Sequence, residues 1–276
     1  MMKTLYVSDL DGTLLRSDET TSDYTNETLN YLTEKGMLFS YATARSYHTA
    51  RKVTKGLNAR IPLIVYNGAF IIDNVTGEVL VSNYFGDNVK EVLDDLLAHD
   101  LYPIVYAYID SIEKFSFVED KCTRGMKEFL ETRRGDKRTN PLKDKVKLYA
   151  GKIFYITCID EEEKLEPFYE KYRHQYHCVF QRDIYSGEQW LEIMPREVSK
   201  ANAIQQLKQY LHCDQLVVFG DGKNDIDMFE IADQCYAVEN AVEELKQIAS
   251  EVIGSNNADS VVKWLEKNFI AETGNE

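Results

Sequence analysis

Residues 4–13 have the sequence TLYVSDLDGT, and this stretch decides the fold. Its apolar first half predicts a short β-strand that ends at Asp9, and Asp11 follows two residues later. Two carboxylates at this spacing point to opposite faces of a strand, but a glycine-containing turn just past the strand end can bring both to one centre. One carboxylate can then act as nucleophile and metal ligand while the other moves protons. The alternative is an Asp-Gly turn that only ends the strand.

Strands and helices alternate in the first and last thirds of the chain. In the first third, further strands are predicted at 37–42, 63–66, 69–73 and 79–83, and helices at 25–35 and 46–55. In the last third, strands are predicted at 190–194, 215–219 and 235–238, and helices at 199–211, 224–231, 241–249 and 258–268. Alternation of this kind is typical of parallel βαβ units. The predicted fold class is therefore α/β, with a Rossmann-like doubly wound parallel sheet.

The middle of the chain, residues 84–189, has a different pattern and is rich in tyrosine. Helices are predicted there at 87–99, 122–132 and 161–173, and strands at 101–107, 114–118, 152–157 and 178–182. This pattern predicts a separate α+β unit inserted into the α/β domain. The α/β core would then consist of residues 1–83 and 190–276.

A second acidic stretch, residues 219–228 with the sequence FGDGKNDIDM, also follows an apolar strand. Asp221 is predicted at the strand tip, with Asn224 and Asp225 on the first turn of the next helix. Magnesium binds hard oxygen ligands and keeps several waters, so one or two carboxylates from separate strand ends suit it. A glycine-rich turn with aspartate as a helix N-cap explains one of these carboxylates, but not those that follow. A calcium loop is disfavoured because the stretch lacks the glycine and the terminal glutamate of that motif.

Three further residues follow a predicted strand or open a helix. Thr43 follows the second strand and would project its hydroxyl from the same sheet edge, and Arg45 opens a helix whose free amides favour anions. Lys200 opens the helix after the insert, where its ammonium would neutralise an anionic group. Two of them have an ordinary alternative, a helix cap for Thr43 and a surface side chain for Lys200. Their shared position favours a site, because open α/β sheets bind ligands at the carboxyl ends of their strands.

The composition limits the kinds of partner. The formal net charge of −14 disfavours nucleic acid, whose binding needs clustered Lys and Arg. No run approaches the roughly 20 apolar residues that cross a bilayer, so no membrane association is expected. Five cysteines without a C-x-x-C pair predict reduced thiols in a cytoplasmic protein. An anionic ligand on so acidic a chain requires a bound divalent cation and placed basic side chains.

In order and spacing, these motifs resemble those of the haloacid dehalogenase superfamily. Within it, they are similar to the Cof-like phosphatases that carry a large α/β cap. The matching stretches are Asp9-x-Asp11-Gly12-Thr13, Ala42-Thr43-Ala44-Arg45, Val198-Ser199-Lys200-Ala201 and Gly220-Asp221-Gly222-x-Asn224-Asp225. They cover the two terminal segments, whereas the insert matches by its place and size.

The resemblance implies Mg²⁺-dependent hydrolysis of a phosphate monoester of a small metabolite, such as a sugar phosphate or a phosphorylated cofactor. It implies that Asp9 attacks phosphorus to form an aspartyl-phosphate, while Asp11 protonates the leaving oxygen and later activates water. The predicted phosphate-binding residues are Thr43, Arg45, Lys200 and Asn224. The predicted metal site comprises Asp9, the backbone carbonyl of Asp11, Asp221 and Asp225, the last as a support for metal waters or for Lys200.

Two other functions stay open on the same fold, a phosphomutase and a non-catalytic sugar-phosphate sensor. The presence of both Asp9 and Asp11 weighs against the sensor. The insert is expected to determine substrate specificity. Its basic run at 133–138, RRGDKR, either grips a second anionic group or is a solvated loop. A monomer or a weak homo-oligomer is expected.

Overall fold

The computed structural model describes residues 2–58, 62–182 and 187–273. The chain divides into two units, one formed by Met1–Ser82 with Ser199–Glu276 and the other by Asn83–Val198. Each unit has its own cluster of buried apolar side chains. This is the organisation expected when one domain is inserted into another.

The helices and strands are numbered along the chain. The strands are β1 (Thr4–Ser8), β2 (Leu38–Tyr41), β3 (Leu63–Val65), β4 (Phe70–Ile72), β5 (Val79–Ser82), β6 (Ile104–Ile109), β7 (Ile112–Val118), β8 (Thr139–Leu142), β9 (Lys152–Asp160), β10 (His177–Arg182), β11 (Gln189–Met194), β12 (Gln215–Gly220), β13 (Gln234–Ala237) and β14 (Glu251–Val252). The helices are α1 (Asp23–Glu34), α2 (Tyr47–Val53), α3 (Val89–Ala98), α4 (Arg124–Glu131), α5 (Glu162–Tyr172), α6 (Lys200–Tyr210), α7 (Ile226–Glu230), α8 (Glu243–Ile248) and α9 (Ser260–Thr273). The sequence did not predict β8 or β14.

The first unit is built on a five-stranded sheet with the order β14-β13-β12-β1-β2. Its strand pairs are parallel. The strand order reverses at β1, which has β2 on one side and β12 on the other, as in a doubly wound sheet. Leu5, Tyr6 and Val7 of β1 are all buried, which is typical of a strand covered on both faces. These features confirm the predicted fold class.

The predicted strand at 63–66 forms, but it joins a different sheet. β3 begins an antiparallel three-stranded sheet with β4 and β5. A parallel bridge between Ala42 and Ile64 connects it to the chain just after β2. Only Tyr66–Gly68 and Ala69 separate β3 from β4, and so short a connection makes a hairpin and not a parallel crossover.

The second unit contains a six-stranded sheet with the order β10-β11-β9-β6-β7-β8. Neighbouring strands are antiparallel, except that β7 and β8 are parallel. Apolar side chains of α3 and α5, including Leu93 and Leu165, share a buried core with Leu191 of β11. Because strand residues alternate between faces, Trp190 and Glu192 lie on the face opposite this core.

Residues 190–198 were predicted to belong to the α/β core, and this prediction is wrong. β11 pairs with β9 and β10, and the boundary between the units falls between Val198 and Ser199. An alternating pattern marks a half-buried strand, but it does not determine which sheet the strand joins. That choice depends on pairing with strands that are distant in sequence.

Within the described part of the chain, no helix combines the length and the apolarity needed to cross a bilayer. All five cysteines are free, and reduced thiols stay a prediction.

Candidate active site

Three carboxylates from two distant parts of the chain meet at the carboxyl edge of the parallel sheet. Asp9 follows β1, and its amide donates a hydrogen bond of 2.9 Å to the carbonyl of Phe219. Asp221 follows β12, and Asp225 comes just before α7. Each offers one carboxylate oxygen to a group in which all three oxygens lie within 4.8 Å of one another. The structure therefore brings together three of the four residues predicted to bind a metal.

Gly12 shapes the loop after β1. Residues Leu10–Leu14 form a distorted helical turn in which Gly12 has a φ of +78°. A Cβ at this position would lie 2.3 Å from Asp221 Oδ2, so any side chain would displace that carboxylate. Thr13 Oγ1 donates to Asp221 Oδ1 at 2.7 Å, and Asn240 Nδ2 donates to the Gly12 carbonyl at 2.7 Å. The loop thus holds Asp221 in addition to its own two aspartates.

Lys200 joins this group from the start of α6. Ser199 caps the helix by accepting a hydrogen bond from the Asn202 amide. The Lys200 ammonium is buried, and it donates to Asp9 Oδ1 and Asp225 Oδ1, both at 2.6 Å. Burial disfavours the charged ammonium, but the two carboxylates outweigh burial and raise its pKa. The interpretation of Lys200 as a surface side chain is therefore wrong.

Burial has the opposite effect on the carboxylates. It raises the pKa of Asp9 well above the ordinary value, against the attraction of Lys200 and with the help of repulsion from Asp225. Burial also raises the pKa of Asp221 to about 6, although the hydrogen bond from Thr13 opposes this shift. Burial therefore disfavours the ionised forms of Asp9 and Asp221, and a further positive charge beside them would stabilise those forms.

The donor set fits a hard divalent cation. Three carboxylates face one ammonium, and the group contains only oxygen donors, which Mg²⁺ prefers. A divalent cation between Asp9 and Asp221 would favour the ionised forms that burial disfavours. Magnesium as the ion, and the Asp11 carbonyl as a ligand, stay predictions.

Both carboxylate oxygens of Asp225 accept hydrogen bonds from within the protein. It is fully buried, with Oδ1 bound to Lys200 and Oδ2 accepting from the amides of Asp221 and Gly222 at 2.9 and 3.0 Å. Of its two predicted roles, this geometry favours the support of Lys200 over direct metal ligation. It also ties the Asp221 turn to the start of α7.

Asp11 is held differently from Asp9. Arg45 Nε lies 2.8 Å from Asp11 Oδ2, and Arg45 Nη2 lies 2.5 Å from Asp11 Oδ1 and 2.7 Å from Glu19 Oε2. The Asp11 side chain is 43% exposed, whereas Asp9 is buried. Arg45 was predicted to bind phosphate, and here its guanidinium binds two carboxylates. Glu19 was not predicted as a site residue, and it lies in an irregular turn at a φ of +59°.

Thr43 lies where the sequence placed it, immediately after β2. Its side chain is buried, and Oγ1 accepts a hydrogen bond of 3.1 Å from the Arg45 amide. The side chain that caps α2 is Ser46, so Thr43 is not the cap of that helix. The Thr43 hydroxyl can still donate its own hydrogen to an anion. Its phosphate-binding role stays a prediction.

Asn224 lies on the single helical turn Lys223–Asp225 and is exposed. A Cβ at Gly222 would lie 2.5 Å from Asn224 Oδ1, so glycine leaves room for this amide above the turn. Its exposed amide is free to move toward a ligand, and its predicted contact with phosphate is untested.

A left-handed turn at Tyr66–Gly68 supports two of the predicted site residues. Tyr66, Asn67 and Gly68 have φ values of +51°, +52° and +100°. The Asn67 amide donates to the Thr43 carbonyl at 2.9 Å. A Cβ at Gly68 would lie 2.3 Å from the carbonyl oxygen of Ser199, directly before Lys200. The turn thus packs between the Thr43 loop and the start of α6.

The basic run at 133–138 fits neither of its two interpretations as a whole. Arg138 is buried and binds Glu113 at 2.6 Å and Asp136 at 2.7 Å, so its charge is already neutralised. Arg134 is exposed and pairs with Glu131. The run is therefore not a simple solvated loop, and Arg138 is not a free cation for a second anion.

Sequence comparison places the chain among known hydrolases. The profile of the haloacid dehalogenase-like hydrolase family matches residues 6–265. A provisionally named phosphatase of Buchnera aphidicola subsp. Baizongia pistaciae is 31% identical over 277 residues, covering 96% of this chain and 98% of the relative. A 5-amino-6-(5-phospho-D-ribitylamino)uracil phosphatase of Bacillus subtilis is 25% identical over 276 residues, covering 96% and 97%.

Solved structures agree with this placement. A crystal structure of a Thermotoga maritima protein has a TM-score of 0.77 and 26% identity, and 97% of each chain is covered. A structure from Eubacterium rectale has a TM-score of 0.80 at 20% identity, covering 96% of this chain and 98% of that one, which shows the fold alone. These matches confirm the resemblance drawn from the motifs. The chain therefore belongs to the haloacid dehalogenase-like hydrolases, as an enzyme of the phosphatase type.

Proposed function

We propose that this enzyme hydrolyses the phosphate monoester of a small metabolite, with Mg²⁺ as cofactor, through an aspartyl-phosphate on Asp9. One observation carries the proposal: the Asp9 carboxylate is buried at the end of β1, between the Lys200 ammonium and the Asp221 carboxylate. This arrangement holds a nucleophile rigidly beside positive charge. Asp11 lies two residues away on the surface side of the same loop.

In the proposed first step, a carboxylate oxygen of Asp9 attacks phosphorus and the ester P–O bond breaks. Asp11 donates a proton to the leaving oxygen, so that an alcohol departs and the phosphoryl group stays on Asp9. In the second step, Asp11 accepts a proton from water and the water oxygen attacks phosphorus. The bond between phosphorus and the Asp9 oxygen breaks, so that inorganic phosphate leaves and the Asp9 carboxylate is restored. Bound Mg²⁺ would supply positive charge that neutralises the phosphoryl oxygens.

Lys200, Thr43 and Asn224 are the proposed contacts to phosphoryl oxygens. Lys200 offers the strongest contact, because its charge is buried and already fixed by two hydrogen bonds. Thr43 would add a hydroxyl donor from the neighbouring strand end. These donors lie at a helix start and a strand end, where rigid elements hold their positions.

Besides its predicted binding of phosphate, Arg45 is proposed to hold Asp11. Its guanidinium binds both carboxylate oxygens of Asp11, so Asp11 must turn away from Arg45 before it can contact a leaving oxygen. Glu19 keeps Arg45 paired while this happens, because it already accepts from the same guanidinium. Contact between Arg45 and phosphate then becomes possible only after Asp11 has moved.

The insert, predicted as residues 84–189 and observed as Asn83–Val198, is proposed to select the substrate. Relatives named for a phosphorylated ribitylaminouracil support a metabolite with a polar, hydroxyl-bearing leaving group. Sugar phosphates, polyol phosphates and phosphorylated cofactors form the matching panel. A cytoplasmic location and a monomeric or weakly oligomeric state also stay predictions.

The direct test is hydrolysis of p-nitrophenyl phosphate with and without Mg²⁺. Turnover should require the ion and disappear in Asp9→Asn, while Asp227→Asn, an exposed aspartate on α7, serves as the matched control and should keep it. Beryllofluoride, which mimics a phosphoryl group on aspartate, should bind the Mg²⁺ form of the wild type and not of Asp9→Asn. Turnover by Asp9→Asn at the wild-type rate would refute the mechanism, and ligand binding without any turnover would favour the sensor.

A further inference from the structure

The loop after β1, residues 9–15, is held at two of its carbonyls by asparagine side chains. Asn240 Nδ2 donates a hydrogen bond of 2.7 Å to the Gly12 carbonyl, and Asn256 Nδ2 donates one of 2.9 Å to the Leu15 carbonyl. Asn240 follows β13 and Asn256 precedes α9, so both are distant from this loop in the sequence. Neither asparagine has a role in the proposed mechanism.

The Asn240 carboxamide uses both of its ends. Its Oδ1 accepts a hydrogen bond of 3.1 Å from the Asn256 amide, while its Nδ2 donates to Gly12. A backbone carbonyl can only accept and a backbone N–H can only donate, so these partners require one acceptor and one donor on the same side chain. Asparagine meets this requirement. An ionised aspartate has the same shape but would place a second oxygen against the Gly12 carbonyl.

The segment that carries Asn240 also contacts the other side of the candidate metal site. The amide of Val242 donates a hydrogen bond of 2.9 Å to the Asp221 carbonyl. Ala241, between these two residues, is buried in the core of the first unit, which anchors the segment. Residues 240–242 therefore bind both the loop after β1 and the turn after β12.

A displacement of the Gly12 carbonyl would reach the Asp221 carboxylate directly. Because a peptide group is planar, a hydrogen bond to this carbonyl also fixes the backbone at Thr13. Thr13 Oγ1 donates to Asp221 Oδ1 at 2.7 Å, and a Cβ on Gly12 would lie 2.3 Å from Asp221 Oδ2. Mg²⁺ requires oxygen ligands at about 2.0–2.1 Å in near-ideal octahedral geometry, so even a small displacement of this carboxylate weakens its binding.

We propose that Asn240 is a positioning residue for the candidate metal site, which sets the spacing between loop 9–15 and the turn that carries Asp221. Asn240 acts through Gly12 and Thr13 and not through contact with the ion. This inference rests on the proposed function, in which Mg²⁺ binds at these carboxylates. Loss of the Asn240 donor should therefore weaken Mg²⁺ binding although every predicted ligand is still present.

Asn30 of α1 provides a matched control in the same unit. Its Nδ2 donates to the Gly56 carbonyl at 2.8 Å, and its Oδ1 accepts from the Asn58 amide at 2.7 Å. Gly56 has a φ of +101°, in the same left-handed region as Gly12. Alanine at position 30 or at position 240 thus removes the same pair of hydrogen bonds, one to a glycine carbonyl and one from a backbone amide.

The test titrates Mg²⁺ alone into the whole chain in a calorimeter, with no substrate present. Asn240→Ala should raise the Kd for Mg²⁺ by about tenfold or more, the usual effect when a group that supports a metal ligand is removed. Asn30→Ala should keep the Kd of the wild type. Urea unfolding in the absence of metal shows that each variant is folded before the titration.

Asn240→Asp tests the donor by itself. This variant keeps the size of the side chain and the hydrogen bond from the Asn256 amide, but it places an oxygen where Nδ2 donates. It should also raise the Kd for Mg²⁺, although its negative charge would attract a cation. It is the deciding variant if Asn240→Ala does not fold without metal.

The inference is overturned if a folded Asn240 variant binds Mg²⁺ as tightly as the wild type. It is also overturned if Asn30→Ala loses as much affinity as Asn240→Ala, because a general loss of stability would then explain both results. Failure of the proposed function is a different result, in which the wild type binds Mg²⁺ but does not hydrolyse p-nitrophenyl phosphate. The Kd values still decide the role of Asn240 in that case, whereas a wild type that binds no Mg²⁺ refutes the metal-dependent function and the inference together.

Discussion

Replacing Gly12 with alanine should separate metal binding from folding. The added Cβ would lie 2.3 Å from Asp221 Oδ2, whereas ordinary contact begins near 3.4 Å. The carboxylate oxygen must therefore retreat by about 1 Å. Because the Asp221 carboxylate is at the end of a side chain that can rotate, the fold should tolerate this shift. A Mg²⁺ ion should not, since it requires oxygen ligands at about 2.0–2.1 Å in near-ideal octahedral geometry.

Gly77→Ala is the matched control for backbone strain. Gly77 has a φ of +75°, close to the +78° of Gly12, but its added Cβ would meet nothing closer than Tyr47 at 3.8 Å. Alanine in this left-handed region costs about 1 to 2 kcal/mol at either position. The two variants should therefore lose similar free energy of unfolding in urea without metal.

The measurement is the Mg²⁺ concentration that gives half-maximal turnover of p-nitrophenyl phosphate. Gly12→Ala should raise it by tenfold or more, which corresponds to about 1.4 kcal/mol of lost metal binding. Gly77→Ala should leave it unchanged. An unaltered Mg²⁺ requirement in a folded Gly12→Ala variant would show that Asp221 does not ligate the ion.

Three further predictions follow from individual contacts. Gly68→Ala should lower kcat by at least tenfold more than Gly36→Ala, which has a similar φ of +97° and open space around its Cβ, and steady-state kinetics on the two variants decide the point. Burial raises the pKa of Glu192 in the folded state to about 7, against an ordinary 4.5, so its contribution to stability is complete below about pH 4.5 and is lost as the pH rises through 7. Between these pH values, the wild type should lose up to about 3 kcal/mol of unfolding free energy relative to Glu192→Gln, measured by urea unfolding. A difference between the two proteins that does not change with pH would contradict this. If Arg45 positions Asp11, Arg45→Ala should slow hydrolysis of an alkyl phosphate more than that of p-nitrophenyl phosphate, because the p-nitrophenolate leaving group needs no proton. Equal slowing of the two substrates would mean that Arg45 does not position Asp11.

The position of the site was predictable because it depends on local signals and one topological rule. An apolar strand followed by Asp9, and another followed by Asp221, are visible in the sequence. Parallel pairing of β1 with β12 then brings their carboxyl ends together. The place of Lys200 was predictable for the same reason, because α6 begins where the chain returns from the insert to the carboxyl edge of the parallel sheet.

Side-chain partners were not predictable, because they depend on distances that sequence spacing does not set. Arg45 was expected to face phosphate, yet Asp11 and Glu19 reach its guanidinium first. The prediction of which sheet β11 joins failed for a related reason, because its alternating sequence pattern is the same whether it pairs in the core or in the insert. β8 was missed because it contains Pro141, which lacks the amide that a central strand needs.

The contrast between Asp9 and Asp11 shows why two aspartates in one short loop can do different chemistry. A nucleophile must stay at a fixed distance from phosphorus, and the buried Asp9 carboxylate is held by Lys200 at 2.6 Å. A proton carrier must exchange its proton with water between the two steps, and the Asp11 side chain is 43% exposed. Its partner Arg45 can release it without being left unpaired, because Glu19 binds the same nitrogen at 2.7 Å. Burial and choice of partner, and not the residue type, therefore divide the two roles.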